Sequence, residues 1–171
     1  MHRRGSLICL LVSALVAVAP APGQVPQPGE DKVMFMPDDA PMMRKAMLRA
    51  QRELDDFFRL AAKPPAGRDN FSIKVGLPLG DGEKEYVRIT EFKQLDDGRY
   101  RGVINNEVQL TDTFKLGEQY TFSRDEIVDW TYVDNMEEKM YGNYTLCALL
   151  SAQPGEDADR LLQYYKLDCK L

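Results

Sequence analysis

Histidine is almost missing. The only one among the 171 residues is His2, ahead of an apolar stretch with the anatomy of an export leader. Without an imidazole the working chain has no Ser-His-Asp or Cys-His nucleophile pair and no zinc site built on His. It also lacks any side chain whose unperturbed pKa lies near neutrality. Cysteine is scarce, at three residues, and no Cys-x-x-Cys, Ser-x-x-Lys or phosphate-cradling Gly-rich loop occurs. Twelve Gly and ten Pro are too few for collagen-like or low-complexity architecture, and no internal repeat is visible. These gaps predict no catalytic residue, no metal ligand and no cofactor.

What is present begins with the leader. His2, Arg3 and Arg4 form a positive n-region, and Leu7 to Ala19 is an unbroken run of apolar and small residues. The run is shorter than the about 20 residues a helix needs to cross the hydrocarbon core. Residues 1–23 therefore read as a signal peptide. Pro20 and Pro22 disfavour cleavage after Ala19 or Ala21, which leaves Ala21-Pro22-Gly23 as the best small-x-small site. Cys9 lies inside the apolar core with no cleavage pattern before it, so no lipoprotein anchor is expected. The expectation is an exported protein, periplasmic or extracellular, with no transmembrane anchor after cleavage. Loss of Arg3 and Arg4 shifts the formal charge from −5 to −7. A chain that acidic repels phosphate backbones, which argues against nucleic acid as a partner. With 44% hydrophobic and 29% charged residues, the remainder suits one soluble globular domain.

Residues 24–37, with Pro26, Pro28 and Gly29 between polar residues, read as a linker. A single α+β domain is expected over 38–152, followed by a tail helix in 153–171. Asp38 and Asp39 are cap candidates, and Pro41 suits a first helical turn. Met43, Met47, Ala50, Leu54, Phe57 and Ala61 then recur at spacings of three and four, one stripe on an α-helix that Pro64-Pro65 ends. Arg44, Lys45, Arg49 and Arg52 crowd its first half, against the macrodipole, with Arg49–Glu53 and Arg52–Asp56 available as i,i+4 pairs. From Phe71 the period becomes two. Phe71–Leu79, Tyr86–Gln94, Tyr100–Asn105, Gln119–Phe122, Ile127–Val133 and Tyr141–Leu150 read as strands, the last two as a hairpin across 134–139. Gly80-Asp81-Gly82 and Asp96-Asp97-Gly98 supply turns. Short strands at this spacing predict a strongly bent antiparallel sheet of five or six strands, partly barrel-like, with the long N-terminal helix packed on it. Ala158, Leu161, Leu162 and Tyr165 are spaced for the short C-terminal helix.

Several residues have two readings. Trp130, beside Ile127 and Val128, suits the core, with Asp129 accepting backbone N–H bonds. As a site, Asp129 is an acid/base and Trp130 a stacking platform. Asn105, Asn106 and Glu107 end a strand, where Asn favours turns, or they recognise a polar ligand. Gly142 marks a bend or a close approach before Asn143, Tyr144 and Thr145. Asp96-Asp97-Gly98 and Asp81-Gly82-Glu83 lack the further ligands of a calcium loop. Cys147 and Cys169, the two cysteines after the leader, either pair in a disulfide or remain a core thiol and a terminal thiol. A bridge closes a loop of about 22 residues, worth about 3 kcal/mol on the chain-entropy model.

The helix pattern Met43-x-x-Ala46-x-x-x-Ala50-x-x-x-Leu54-x-x-Phe57, the segment Phe71-Ser72-Ile73-Lys74-Val75, and Gly102-Val103-Ile104-Asn105-Asn106-Glu107 occur in order. Lys115-Leu116-Gly117, Ile127-Val128-Asp129-Trp130 and Gly142-Asn143-Tyr144-Thr145 follow. Together, over about residues 42–150, they resemble the domain-of-unknown-function 2314 family, bacterial domains without an established activity. The chain departs from that pattern in two places. Tyr86 closes Glu83-Lys84-Glu85-Tyr86 where the family has Glu-x-x-Trp, and Val108 follows Glu107 where the family has Pro. If the Trp and Pro line a groove in relatives, the ligand here differs or is absent. The expected function is a non-catalytic binding domain for a protein or small polar ligand, with Glu83, Tyr86, Asn105, Asn106, Glu107, Asp129, Trp130, Gly142, Tyr144 and Thr145 as candidate contacts. One alternative is an immunity-like inhibitor of a secreted toxin, since the expected fold looks like small immunity domains. The other is a carboxylate-only hydrolase, which requires acids such as Glu83, Glu107 and Asp129 to face one pocket.

Overall fold

The computed structural model describes residues 36–80, 82–167 and Cys169; the expected signal peptide, most of the expected linker and Asp81 lie outside the described residues. Helix α1 spans Pro41–Ala62, and its stripe buries Met43, Ala46, Ala50, Leu54 and Phe57. The stripe therefore faces the sheet as its 3.6-residue period requires. Neither Asp38 nor Asp39 caps α1: the N-cap is Ala40, without a side-chain bond, and Pro41 fills the first turn. Asp38 instead accepts a hydrogen bond from the Tyr86 hydroxyl.

Six strands follow: β1 (Arg68–Gly80), β2 (Glu83–Gln94), β3 (Tyr100–Ile104), β4 (Gln119–Phe122), β5 (Ile127–Asp134) and β6 (Lys139–Gly142). They form one antiparallel sheet in the order β4-β3-β2-β1-β5-β6. This corrects the expected barrel-like curl. The sheet is open, because closure would require β4 to pair with β6, and each instead sits at an edge with one partner. The residues expected to lengthen the last strand are a helix, α2 (Tyr144–Ala152). Asn143 ends β6 with φ 59°, in the left-handed region that Asn tolerates, and Ala and Leu carry the turn onward. Six of the nine α2 residues are buried. A helix apolar on most sides has no clear 3.6 period, so its short apolar run imitates a strand.

Ile73, Val75, Leu77, Val87, Ile89 and Trp130 point toward α1 and fill the core. Phe57 stacks on Trp130 at 5.1 Å between ring centroids. A bulge in β2 between Thr90 and Lys93, with Glu91 at φ 50°, turns Phe92 onto Phe57 and Phe58. Helix α3 (Glu156–Tyr165) follows, and a disulfide joins Cys147 of α2 to Cys169, with the Cα atoms 5.1 Å apart. Among the described residues no helix is long and apolar enough to cross a membrane.

Candidate functional site

Alternation along β1 places Ser72, Lys74 and Gly76 on the sheet face away from α1. The register sets Arg88 of β2 and Asp129 of β5 on either side of Lys74. The result is a row Arg88–Lys74–Asp129 across three central strands. Asp129 is 1% exposed. Its Oδ2 accepts the Thr145 backbone N–H and the Thr145 hydroxyl, both at 2.7 Å, and its Oδ1 accepts the Trp130 N–H at 2.9 Å. The carboxylate thereby satisfies a free N–H in the first turn of α2, where the helix dipole favours an anion. The Lys74 ammonium donates to Thr145 Oγ1 at 3.1 Å. The Arg88 guanidinium donates to Asn143 Oδ1 at 3.0 Å and to Ser72 Oγ at 3.5 Å.

Burial disturbs all three charges. It lowers the Lys74 pKa, and the neighbouring Arg88 charge lowers it further, while Asp129 and Asp38 act in the other direction. Burial also pulls the Arg88 guanidinium down, against attraction from Asp129 and Tyr165. The Asp129 carboxyl is pushed up by burial, opposed by its bonds from Thr145, the Lys74 charge and the Trp130 N–H. Among the described residues every buried side-chain nitrogen and oxygen has a hydrogen-bond partner. Charge balance around the two cations relies on Asp129, which already accepts three hydrogen bonds, and on Asp38, an exposed carboxylate ahead of α1.

The structure gathers some of the expected contacts here. Thr145 completes the row, and Tyr144, its neighbour, turns to the α1 side. There it meets Trp130 edge-on at 5.6 Å, donates its hydroxyl to Glu53, and lies beneath the Arg49 guanidinium at 4.5 Å. Trp130 is a core residue whose indole N–H donates to the Ala50 carbonyl at 3.0 Å. Gly142 makes this junction possible. At φ 74°, a Cβ there would lie 2.1 Å from the Trp130 carbonyl oxygen. Tyr86 flanks the row, with its ring 5.7 Å from Lys74 Nζ.

The other residues sit elsewhere. Asn106 continues the sheet pairing beyond β3, its Oδ1 accepting the Arg88 N–H at 2.7 Å, while the Asn105 N–H bonds the Arg88 carbonyl at 2.8 Å. Glu107 lines a shallow groove of about 330 Å³ with Val108, Thr111 and Phe114. Glu83 opens β2 five residues before Arg88, about 16 Å along a strand. Glu83 and Asp129 are thus set apart along the sheet, and the groove that Glu107 lines includes neither of them. A larger groove of about 430 Å³, lined by Phe58, Ala61, Phe71, Phe92 and Tyr100, includes none of the expected contacts. Among the described residues no three His, Cys, Asp or Glu side chains gather for a metal ion.

Sequence reasoning missed Lys74, Arg88, Asn143 and Glu85. Glu85 accepts the Gln109 and Leu110 N–H groups at 2.7 and 2.8 Å and pins the loop after β3 to β2. The available signal was weak, since Lys74 and Arg88 occupy strand positions that ordinarily face solvent.

No solved structure matches the chain. It is 32% identical over 124 residues to the Escherichia coli (strain K12) uncharacterized protein YegJ, a match covering 72% of this chain and 76% of the relative. The family described as "Uncharacterized protein conserved in bacteria (DUF2314)" matches residues 39–168, so the shared unit runs from the residue before the α1 N-cap through α3. On that extent the chain belongs to the DUF2314 family.

Proposed function

We propose that this chain is an exported, non-catalytic binding domain, acting in the periplasm or outside the cell, that grips an anionic group through Lys74 and Arg88. The observation that carries the reading is the strand row itself. Two cations stand directly opposite one another, an arrangement that costs stability in a sheet. Their buried counter-charge, Asp129, already accepts three hydrogen bonds. Asp38 is exposed and held through Tyr86, so another carboxylate or a phosphate can take its place near Lys74. A guanidinium beside an ammonium suits such a planar or multi-oxygen anion. The leader anatomy supports export, and so does the Cys147–Cys169 bridge, a bond that persists in oxidising compartments. The three hydrogen bonds that Asp129 already accepts and the separation of Glu83 from it favour recognition over catalysis.

Amide-shift titration with citrate and with inorganic phosphate, each to about 10 mM, tests the binding reading. The expected result is movement of the amides around Lys74, Arg88 and Thr145. Arg88→Gln should weaken this response, and Asp38→Asn should tighten it. No movement with either anion, or a response indifferent to both substitutions, overturns it. Export is checked by the mass of the protein in the periplasmic fraction; an intact Met1 in the cytoplasm overturns that half. A hydrolase activity abolished by Asp129→Asn would overturn the non-catalytic half.

A further inference from the structure

The N-terminal half of α1's solvent face carries charge of one sign, against the helix's own field, before Glu53, Asp55 and Asp56 follow. The stretch from Pro41 to Arg52 holds Arg44, Lys45, Arg49 and Arg52 and no acidic residue. Arg49 is tied to Glu53 at 3.1 Å and to the Tyr144 ring. Arg44, Lys45 and Arg52 have no ion-pair partner among the described residues. Asp56, an i,i+4 neighbour of Arg52, pairs with Arg59, and Asp55 pairs with Arg124. Arg44 and Lys45 sit near the positive end of the macrodipole, with no acidic residue in the first turn and no side-chain cap at Ala40. In a chain of net charge −5 this is a concentrated exception.

At 100° per residue, Arg44, Leu48, Arg52 and Lys45 fall within about a quarter of the helix circumference, opposite the buried stripe. Leu48 stands among the cations and is 64% exposed, and Met42, on the flank, is 40% exposed.

We propose that this face of α1 is a docking surface for an anionic phospholipid bilayer. Cations attract the headgroup layer while Leu48 and Met42 enter the headgroup–acyl boundary, the arrangement of interfacial amphipathic helices. A single convex helix face, with an exposed apolar side chain among basic ones, suits a deformable surface. An acidic protein partner would need to supply a matching cleft. This reading is independent of the anion site at Lys74 and Arg88, which lies on the opposite side of the sheet from α1.

The test is co-sedimentation of the protein, as purified from its host, with phosphatidylglycerol-containing vesicles and with pure phosphatidylcholine vesicles. Each free basic residue near an anionic surface contributes about fivefold, so the triple substitution Arg44→Gln, Lys45→Gln, Arg52→Gln should weaken binding to the anionic vesicles about 100-fold. Leu48→Ser should weaken it further, and raised salt should suppress it. Lys166→Gln, elsewhere on the surface, should leave it unchanged. All variants share one N-terminus, so any leader retained contributes equally. The triple variant relieves repulsion at the helix start and should melt no lower than the parent, which separates lost docking from lost folding. Equal binding of the triple variant, indifference to vesicle charge, or no sedimentation of the parent overturns the proposal. Capture of an acidic protein by this face without vesicle binding overturns it too.

Discussion

On the α1 side of the sheet, Phe57 is 2% exposed and touches the rings of Phe58, Phe71, Phe92 and Trp130. On the other side, Arg88, Lys74 and Asp129 hold their places through bonds to Asn143, Ser72 and Thr145. The first face is stabilised by apolar area and shape, which pH and salt barely touch. The second depends on each polar group keeping its partner, because a buried group that loses one bears its full desolvation cost. The α2 N-terminus joins the two, since Tyr144 belongs to the aromatic side and Thr145 to the charged side. The anion binding proposed above would fall to the charged face, where partners can be exchanged. The aromatic face holds the strands in register for it.

The largest effect expected from breaking this contrast is on the aromatic face. Phe57→Ala removes a ring from the middle of the cluster and should cost about 4 kcal/mol, read as a lowered urea midpoint with an unchanged slope. Next comes Asp129→Asn on the charged face. The single amide oxygen cannot replace both carboxylate oxygens, so either the Trp130 N–H or both Thr145 donors lose their partner, and two cations lose their buried counter-charge. A loss of about 3 kcal/mol is expected. The sharper readout is hydrogen exchange. Asp129→Asn should speed exchange of an amide the carboxylate now holds, Trp130 or Thr145, well before global unfolding, whereas Phe57→Ala should speed exchange across the whole core. Similar exchange patterns from the two variants would erase the distinction between the faces.

Much of the aromatic face was legible in the sequence, because its signals are local. The α1 stripe repeats within one helix, and the alternation from Phe71 marks β1 and its inner face. Trp130 as core and Asp129 as an acceptor of backbone N–H groups also follow from neighbouring residues and from the cost of burying either one alone. The charged face is built from pairs far apart in the chain. Lys74 and Thr145 are 71 residues apart, and Arg88 and Asn143 are 55. A charged residue at an alternate strand position carries no mark of whether water or another side chain lies above it. The α2 segment misled for a related reason: burial on several sides erased the period that would have identified a helix, and with it went the case for an open sheet.

The smallest effect is a pH slope, and it discriminates best. Lys74 has its pKa lowered in the folded protein, chiefly by burial, relative to about 10.4 for a free lysine. Between those two values the unfolded chain binds more protons than the folded one, so stability rises with pH across that window. The tyrosines act in reverse above about pH 10. Tyr141, held by Glu137, is raised to about 12, and Tyr86 and Tyr144 are raised as well, chiefly by burial, so stability then falls as pH climbs. Chemical denaturation across the alkaline range should therefore show a shallow maximum. Lys74→Met should abolish the rising limb and leave the tyrosine-dependent fall in place. Phe57→Ala should lower the whole curve without changing its shape. If Lys74→Met keeps the rising limb, the ammonium is fully solvated, and the two faces of the sheet differ in composition but not in physics.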